Sequence, residues 1–200
     1  MKIVLFGDSI MEGKTGIAPE ESFFPQLEKF CGPSHRLINA GKGGNSAREA
    51  MARLESDVLI HEPDLILLEF GGNNHDPRTG HGSRRVNDRE FTALLERFKS
   101  KIPEKCRVMA LTFPPIINHR HQFFHLVPGG LVDEELQSQR QILRERAKRS
   151  HWLLLDLYEL FLPRKEELIL PDGIHLNPAG HRFLAEKIGE KLQSSFPEEF

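Results

Sequence analysis

The sequence predicts a three-layer α/β fold, in which a parallel β-sheet carries helices on both faces, and three observations support this. The chain has 200 residues, a usual size for one domain, and no repeat, low-complexity tract or long linker indicates a second one. Five short apolar runs recur along it, and segments with helical periodicity separate them. Strands that alternate with helices favour parallel pairing through crossover helices. We therefore expect a single domain over residues 1–200.

The apolar runs are the predicted strands. Nearly continuous apolar character indicates strands that are covered on both faces. The runs are KIVLF (2–6), RLINA (36–40), DLILLEF (64–70), RVMALTF (107–113) and WLLLDL (152–157). Ligands of such sheets bind beyond the carboxyl ends of the strands, so the segments after these runs are the predicted site. Those segments are GDSI, NAGKGGNS, GGNNHD, FPPIINHRHQ and, after a short helical piece, PDGIHLN.

Three longer segments have helical patterns. Residues 87–102 carry one apolar stripe, and Asn87 or Asp88 could cap the start of that helix. Residues 132–149 open acidic and close basic, which is the arrangement that the helix dipole favours. The last helix should run from about 178 to 192, with proline in its first turn.

Composition excludes several partner classes. The chain has 27 Lys and Arg against 29 Asp and Glu, a formal net charge of −2, so no global field attracts nucleic acid. The basic stretch 140–149 follows acidic residues, and we interpret it as a solvated helix face. Cys31 and Cys106 form no CxxC motif, which fits a reduced protein, although a single disulfide stays open. Without a signal-like or membrane-spanning apolar run, we predict a cytoplasmic location.

The segment GDSIMEGKT after the first run admits two interpretations, a phosphate-binding loop that ends in GKT or a turn that presents Ser9. A Walker loop needs a glycine at position 8, where Asp8 stands. Asp8 and Glu12 would also bring negative charge to the phosphates, which such loops bind through backbone N–H groups. Spacing and charge both argue against a nucleotide site.

Ser9 becomes a candidate nucleophile only if a base and an orienting acid exist elsewhere, because a serine hydroxyl is a weak nucleophile by itself. Asp172 and His175 lie three positions apart in PDGIHLNPAGH. The carboxylate could bind Nδ1–H and leave Nε2 to face Ser9. Glycines of GKGGNS and the amide of Asn73 could donate to an oxyanion. Each of these residues taken alone is more typical of a turn or a helix cap.

Together these blocks, from residue 3 to about residue 188, resemble the GDSL, or SGNH, hydrolase family of lipases and esterases. The resemblance implies a flavodoxin-like five-stranded parallel sheet. It implies Ser9 as the nucleophile, His175 as the base and Asp172 as the partner of that base. It also implies an oxyanion hole made by Ser9 N–H, Gly44 N–H and Asn73.

The same resemblance implies the reaction, hydrolysis of a carboxylic ester or thioester through an acyl-enzyme, without a metal or organic cofactor. The expected partner is a small-molecule ester. Three alternatives stay open. The chain could be an esterase of the carboxylesterase, lysophospholipase or thioesterase type. It could instead be a carbohydrate acetylesterase of the same fold, or a catalytically silent ligand-binding member. The last arises because the third block usually reads GxND, and Asn74 stands here in place of the aspartate. Oligomeric state is not predicted.

Three further features leave alternatives open. His119, His121 and His125 have an HxHxxxH spacing that could hold zinc, although a pocket-lining or solvent-facing loop is the favoured interpretation. Phe123 and Phe124 could shape an acyl pocket or anchor a long loop. Residues 75–85 are polar and could form a substrate-side loop or an ordinary solvated connection.

Overall fold

The computed structural model describes residues 1–75 and 86–200 of the chain. In these residues five parallel strands form one sheet in the order β2-β1-β3-β4-β5. The strands are β1 (Lys2–Gly7), β2 (Arg36–Asn39), β3 (Leu65–Glu69), β4 (Arg107–Leu111) and β5 (Leu153–Leu155). This order is the flavodoxin-like one, and the predicted α/β fold class is confirmed.

Helices connect the strands and cover both faces of the sheet. Within the described residues they are α1 (Ser9–Glu12), α2 (Phe23–Cys31), α3 (Ala47–Ala52), α4 (Leu54–Asp57), α5 (Asp88–Lys101), α6 (Gln137–Ser150), α7 (Leu157–Phe161), α8 (Lys165–Leu168) and α9 (Pro178–Ser195). Short 3-10 turns lie between them at Pro19–Glu21, Leu59–His61, Asn118–Arg120, Phe124–Leu126, Pro128–Gly130, Glu134–Leu136 and Leu162–Arg164. In the described ranges no helix is both long enough and apolar enough to cross a bilayer.

Alternate strand residues build two apolar layers. Ile3 and Leu5 of β1 pack with α2 and α9 on one face, whereas Val4 and Phe6 pack with α3, α5 and α6 on the other. Each fully buried aliphatic side chain of this kind contributes about 1.5–3 kcal/mol relative to exposure. The sheet is therefore covered on both faces, as its continuous apolar runs predict.

The two cysteines lie in different apolar layers. Cys31 belongs to the cluster around α2 and Cys106 to the cluster around α5, and both thiols are free. Burial raises the pKa of each thiol to about 11. The disulfide that the sequence left open is absent from the described residues.

The start of α6 differs from its prediction, because the helix begins at Gln137 and not at residue 132. The reason is the side chain of Asp133. Its Oδ1 atom accepts hydrogen bonds from Ile116 N at 2.8 Å and from Arg140 Nη2 at 2.6 Å. These contacts hold Asp133 against the segment that follows β4, so the chain between it and α6 forms only a 3-10 turn.

Arg140 also corrects the interpretation of residues 140–149 as a solvated face. Its side chain is 1% exposed and donates to the carbonyl oxygens of Phe113 at 3.0 Å and Pro114 at 2.8 Å. Together with Asp133 it ties α6 to the loop after β4. Part of the basic stretch therefore holds the wall of the site in place.

Candidate active site

The turn after β1 presents Ser9 as the first residue of α1. The Asp8 side chain caps this helix by accepting a hydrogen bond from Ile10 N at 3.0 Å. Gly7 is required before it, because a Cβ atom there would lie 2.2 Å from Met11 Cγ. The helix ends at Gly13, whose φ of 66° lies in the left-handed region. Tight packing at both ends thus positions the hydroxyl of Ser9 at the edge of the sheet.

The structure brings Ser9, His175 and Asp172 into one chain of hydrogen bonds. His175 Nε2 lies 2.9 Å from Ser9 Oγ, and His175 Nδ1 lies 2.6 Å from Asp172 Oδ2. A carboxylate can only accept, so Nδ1 carries the hydrogen and Nε2 is left to accept the proton of the hydroxyl. The three predicted side chains are thus in hydrogen-bond contact with one another in the order Ser9, His175, Asp172.

Asp172 is held by the backbone as well as by the imidazole. Its Oδ1 atom accepts from Ile174 N at 2.9 Å and from His175 N at 3.0 Å. Partial burial raises the pKa of Asp172, but hydrogen bonds from the His175 ring and from both N–H groups outweigh it and bring the pKa to about 2. Asp172 is therefore ionised at neutral pH, and its orientation towards His175 is set before any substrate binds.

Two backbone N–H groups at the site donate to no acceptor in the part of the chain that the structure describes. They belong to Ser9 and Gly44, and both residues line the same cavity. Gly44 has a φ of +75° and open space beside its Cα atom, so glycine suits both its conformation and the approach of a ligand. Both groups are available for a negatively charged oxygen.

Polar ties behind this loop keep it in place. Arg53 donates to Gly7 O at 2.9 Å, to Ala40 O at 2.6 Å and to Asn45 Oδ1 at 2.6 Å. On the other side of the loop, Gly43 N donates to the carboxylate of Glu12 at 3.1 Å. The loop after β2 is thereby tied to the turn that carries Ser9.

Asn73 lines the cavity, but its amide is already engaged. Its Nδ2 atom lies 3.2 Å from Asp8 Oδ2 and 3.2 Å from Asn45 O. Both distances are at the long end of the range for N–H···O bonds. Donation to an oxyanion therefore requires one of these N–H groups to leave its present acceptor, and the neutral carbonyl of Asn45 is the weaker acceptor of the two. The predicted donation from Asn73 to an oxyanion therefore includes the exchange of one existing hydrogen bond.

Asn74, the departure from the usual third block, faces away from the reacting atoms and is fully buried. Its Oδ1 atom accepts from Ala47 N at 2.9 Å, at the start of α3. Its Nδ2 atom donates to Gln139 Oε1 at 2.7 Å. An aspartate at this position would lack that donor. The substitution therefore has a structural partner on α6 and leaves the geometry of the site intact.

The cavity beside Ser9 has a volume of about 270 Å³. Phe113, Phe123 and Ile174 provide apolar lining, and Thr15 and Gln122 provide polar lining. Phe123 and Phe124 divide the two roles that the sequence left open, since Phe123 lines this cavity. The ring of Phe124 packs against Gly130 so closely that a Cβ atom on Gly130 would lie 2.2 Å from it. This contact anchors the loop.

The histidine motif does not form a metal site within the described residues, where no three His, Cys, Asp or Glu side chains are suitably grouped. His119 and His125 are exposed. His121 is buried and lines the cavity, and its Nδ1 atom accepts from Phe123 N at 3.1 Å. Of the predicted substrate-side loop 75–85, residues 76–85 lie outside the described residues.

Sequence reasoning missed the residues that support the site from behind. The motifs assign no role to Arg53 or Glu69, and they present Asp8 and Glu12 only as arguments against phosphate binding. One signal was available for Glu69. It is a single acidic residue inside the apolar run LILLEF, and buried acids need a reason.

Comparisons with known proteins show the family of the chain. A model of the GDSL-like Lipase/Acylhydrolase family matches residues 5–183. An arylesterase of Vibrio mimicus is 24% identical over 200 residues, which cover 96% of this chain and 88% of that protein. An uncharacterized lipoprotein, YqeF, of Bacillus subtilis (strain 168) is 27% identical over 219 residues, with 96% and 90% covered.

Two solved structures have the same fold. The lipase/acylhydrolase from Enterococcus faecalis superposes with a TM-score of 0.81 at 23% identity, covering 97% of this chain and 96% of the other. An acetyl xylan esterase, AlAXEase, superposes with a TM-score of 0.78 at 24% identity, covering 95% and 98%. The resemblance read from four separated blocks thus extends over nearly the whole described chain.

Proposed function

The chain belongs to the GDSL-like lipase/acylhydrolase family, and from this premise we propose that it is a serine ester hydrolase with Ser9 as its nucleophile. Members of this family hydrolyse esters, and this chain is an ester-hydrolysing enzyme. The observation that carries the proposal is the pair of hydrogen bonds from Ser9 Oγ to His175 Nε2, at 2.9 Å, and from His175 Nδ1 to Asp172, at 2.6 Å.

The first half of the proposed reaction transfers the acyl group to the enzyme. Ser9 Oγ attacks the carbonyl carbon of the ester or thioester while its proton passes to His175 Nε2. Asp172, ionised at neutral pH, stabilises the imidazolium that forms. The imidazolium then gives its proton to the leaving oxygen or sulfur as the bond to the acyl carbon breaks.

The second half releases the acyl group. A water molecule attacks the acyl carbon while His175 Nε2 takes its proton, and the proton returns to Ser9 Oγ as the carboxylic acid leaves. In both halves the oxyanion is stabilised first by the unengaged N–H groups of Ser9 and Gly44. Asn73 joins them by exchanging one of its two 3.2 Å hydrogen bonds for a bond to the oxyanion.

A fluorophosphonate probe tests the nucleophile directly, because it forms a covalent bond only with an activated serine. We expect one label per chain, on the peptide that contains Ser9, and none in Ser9→Ala. Ser56→Ala, which changes an exposed serine, is the matched control and should label like the wild type. A folded wild-type chain that takes no label would refute the proposal and favour the catalytically silent alternative.

We propose a short acyl group, because the cavity beside Ser9, about 270 Å³, is at the small end of ligand sites, which span roughly 300–1,000 Å³. A carbohydrate acetylesterase is the second candidate, supported by the acetyl xylan esterase of the same fold and by Thr15 and Gln122 in the lining. Rates on p-nitrophenyl acetate, butyrate and octanoate and on acetylated xylan would separate the candidates. A preference for octanoate would contradict both the short acyl group and the sugar ester.

A cytoplasmic location stays a proposal that rests on composition. One relative is described as a lipoprotein, so membrane attachment is the alternative to test. Fractionation of cells that produce the protein from its own gene would decide between them. Recovery in the membrane fraction would contradict the proposal.

A further inference from the structure

Two acidic side chains lie buried behind the nucleophile, and both Asp8 and Glu69 have 0% exposure. Glu69 ends β3 and pairs in register with Gly7 of β1, two positions before Ser9. Its carboxyl group faces the carboxyl group and the backbone N–H of Asp8. The hydrolysis mechanism proposed above uses neither carboxyl group.

The two carboxyl groups differ sharply in their hydrogen bonds. Asp8 accepts from Ile10 N at 3.0 Å and from Asn73 Nδ2 at 3.2 Å. Neither oxygen of Glu69 completes a well-formed hydrogen bond with any donor among the described residues. Donors stabilise a carboxylate, so they favour the ionised form of Asp8, whereas Glu69 faces only the backbone N–H of Asp8.

Two carboxylates in contact offer only acceptors to each other, and removing both charges from water is costly. A proton between them removes one charge and turns the contact into a hydrogen bond. Because Asp8 has the donors, the proton belongs on Glu69. The neutral carboxyl group of Glu69 then donates its O–H to the carboxylate of Asp8.

We propose that Glu69 is a positioning residue for the ester hydrolysis proposed above: it stays neutral and donates its O–H to the Asp8 carboxylate, which holds Asn73 and caps the helix of Ser9. The effect on catalysis rests on the proposed function, whereas the protonation of Glu69 does not. Through Asp8, one buried proton orients both the nucleophile helix and the amide of the oxyanion hole.

The electrostatics of the pair agree with this assignment. Burial raises the pKa of Asp8 to about 6, and burial together with the charge of Asp8 raises the pKa of Glu69 well above its ordinary value. His175 also faces Asp8, from the segment before α9, and favours its anion. Arg53 binds Gly7 O, one residue before Asp8. Both directions agree with a proton held on Glu69 and not on Asp8.

Infrared difference spectroscopy tests the protonation. Wild type minus Glu69→Gln at pH 7 should contain the C=O stretch of a neutral carboxyl group. Glu167→Gln, which changes an exposed glutamate paired with Arg164, is the control and should remove only carboxylate bands. A difference spectrum for Glu69 with carboxylate bands alone would overturn the proposal.

Kinetics test the positioning with two variants of similar size. Glu69→Gln keeps a donor towards Asp8, and Glu69→Leu removes it. We expect kcat of the leucine variant to fall by about 100-fold, the scale of an ångström-sized misplacement, with KM nearly unchanged, and the glutamine variant to recover most of that loss.

Unfolding curves and far-ultraviolet spectra must accompany these rates. A leucine variant that is merely less stable, with wild-type kcat for its folded fraction, would overturn the positioning role. If the leucine variant does not fold, a folded glutamine variant that loses kcat by 100-fold would overturn it instead. A wild-type chain that hydrolyses no ester refutes the proposed function, and the infrared result still decides the protonation of Glu69.

Discussion

The Nε2 atom of His175 lies 2.9 Å from Ser9 Oγ, across 166 positions of the chain. This contact joins the start of α1 to the segment before α9. It depends on the register of β1 in the sheet and on the packing of α9 against α2 in one apolar layer. The same layer therefore supports both the fold and the alignment of the two side chains.

The partner of His175 gives the first prediction. Asp172→Asn keeps an acceptor for Ile174 N but no longer provides a negative charge for Nδ1–H, so His175 can adopt the wrong tautomer. We expect kcat to fall by roughly 10³–10⁴-fold, the scale for loss of such an acid, in a chain that still folds but has a lower unfolding midpoint at pH 7, because the hydrogen bonds that depress the pKa of Asp172 also stabilise the folded state. Steady-state kinetics on p-nitrophenyl acetate measure it. A loss smaller than tenfold would show that Asp172 does not orient the base.

Asn73 provides the second prediction. If its amide donates to the oxyanion, Asn73→Ala should cost roughly 2.7–4 kcal/mol of transition-state stabilisation, seen in kcat with KM nearly constant. Asn73→Ser, which keeps a shorter donor, is the comparison and should lose less. A rise of KM alone would make Asn73 a binding residue. A loss of stability with kcat intact would make it only a tie between Asp8 and Asn45.

Arg53 provides the third prediction. Its side chain is 11% exposed, and its guanidinium group donates to Gly7 O, Ala40 O and Asn45 Oδ1 together. A lysine has one nitrogen and cannot reach three separate acceptors. Gly7 O would keep its hydrogen bond from Lys42 N, but the part-buried Ala40 O and Asn45 Oδ1 would lose theirs. At about 0.5–1.5 kcal/mol for each hydrogen bond lost, Arg53→Lys should lower the free energy of unfolding in urea.

The same substitution should also lower kcat, because the loop with Gly44 loses its support. Arg149→Lys is the matched control, since Arg149 is 71% exposed and makes only a surface pair with Glu145 in the described residues. An Arg53→Lys variant with wild-type stability and kcat would contradict a supporting role for this side chain.

Asn74 provides the fourth prediction, in which the residue usual for the family should be harmful. Asn74→Asp removes the donor to Gln139 Oε1 and places two acceptors together in a buried site. Gln139 cannot simply turn over, because its Nε2 atom donates to Val86 O at 2.7 Å. We expect a loss of about 1–3 kcal/mol in unfolding free energy. Gln139→Ala in the Asp variant should relieve part of it, and an unchanged urea midpoint for the single variant would contradict this reasoning.

The fifth prediction concerns pH and His181, which is 3% exposed. Burial, followed by the charge of His175, lowers its pKa from 6.5 to about 4. The unfolded chain therefore binds a proton between these values that the folded chain does not, so stability rises with pH from about 4 to 6.5 and is lost as pH falls through that window.

At about 1.4 kcal/mol for each pKa unit, the free energy of unfolding that is lost through His181 between pH 6.5 and pH 4 is on the order of 3 kcal/mol. His181→Asn keeps an acceptor for Phe23 N, which donates to His181 Nδ1 at 3.3 Å, and does not titrate. Urea unfolding at several pH values should show a shallower fall below pH 6.5 for the variant. Equal slopes for both proteins would contradict the prediction.

The elements of the fold were largely predictable, because apolar periodicity is a local property of the chain. Every predicted strand and helix exists within the described residues, and Asn87 caps α5 as expected, with its side chain accepting from Glu90 N at 2.9 Å. Boundaries failed where a distant residue competes for a side chain. Asp133 binds Ile116 N and Arg140, so α6 starts at Gln137.

The sequence by itself determined the α/β fold and the candidate residues Ser9, Asp172 and His175, because apolar strand runs and short polar motifs are local patterns that can be recognised one after another along the chain. Tertiary structure alone decided what surrounds them. Whether a charged or amide group is buried, and whether it has a donor or an acceptor there, depends on segments far away in sequence. Glu69 meets Asp8, and Asn74 meets Gln139, only because the parallel sheet brings those segments together.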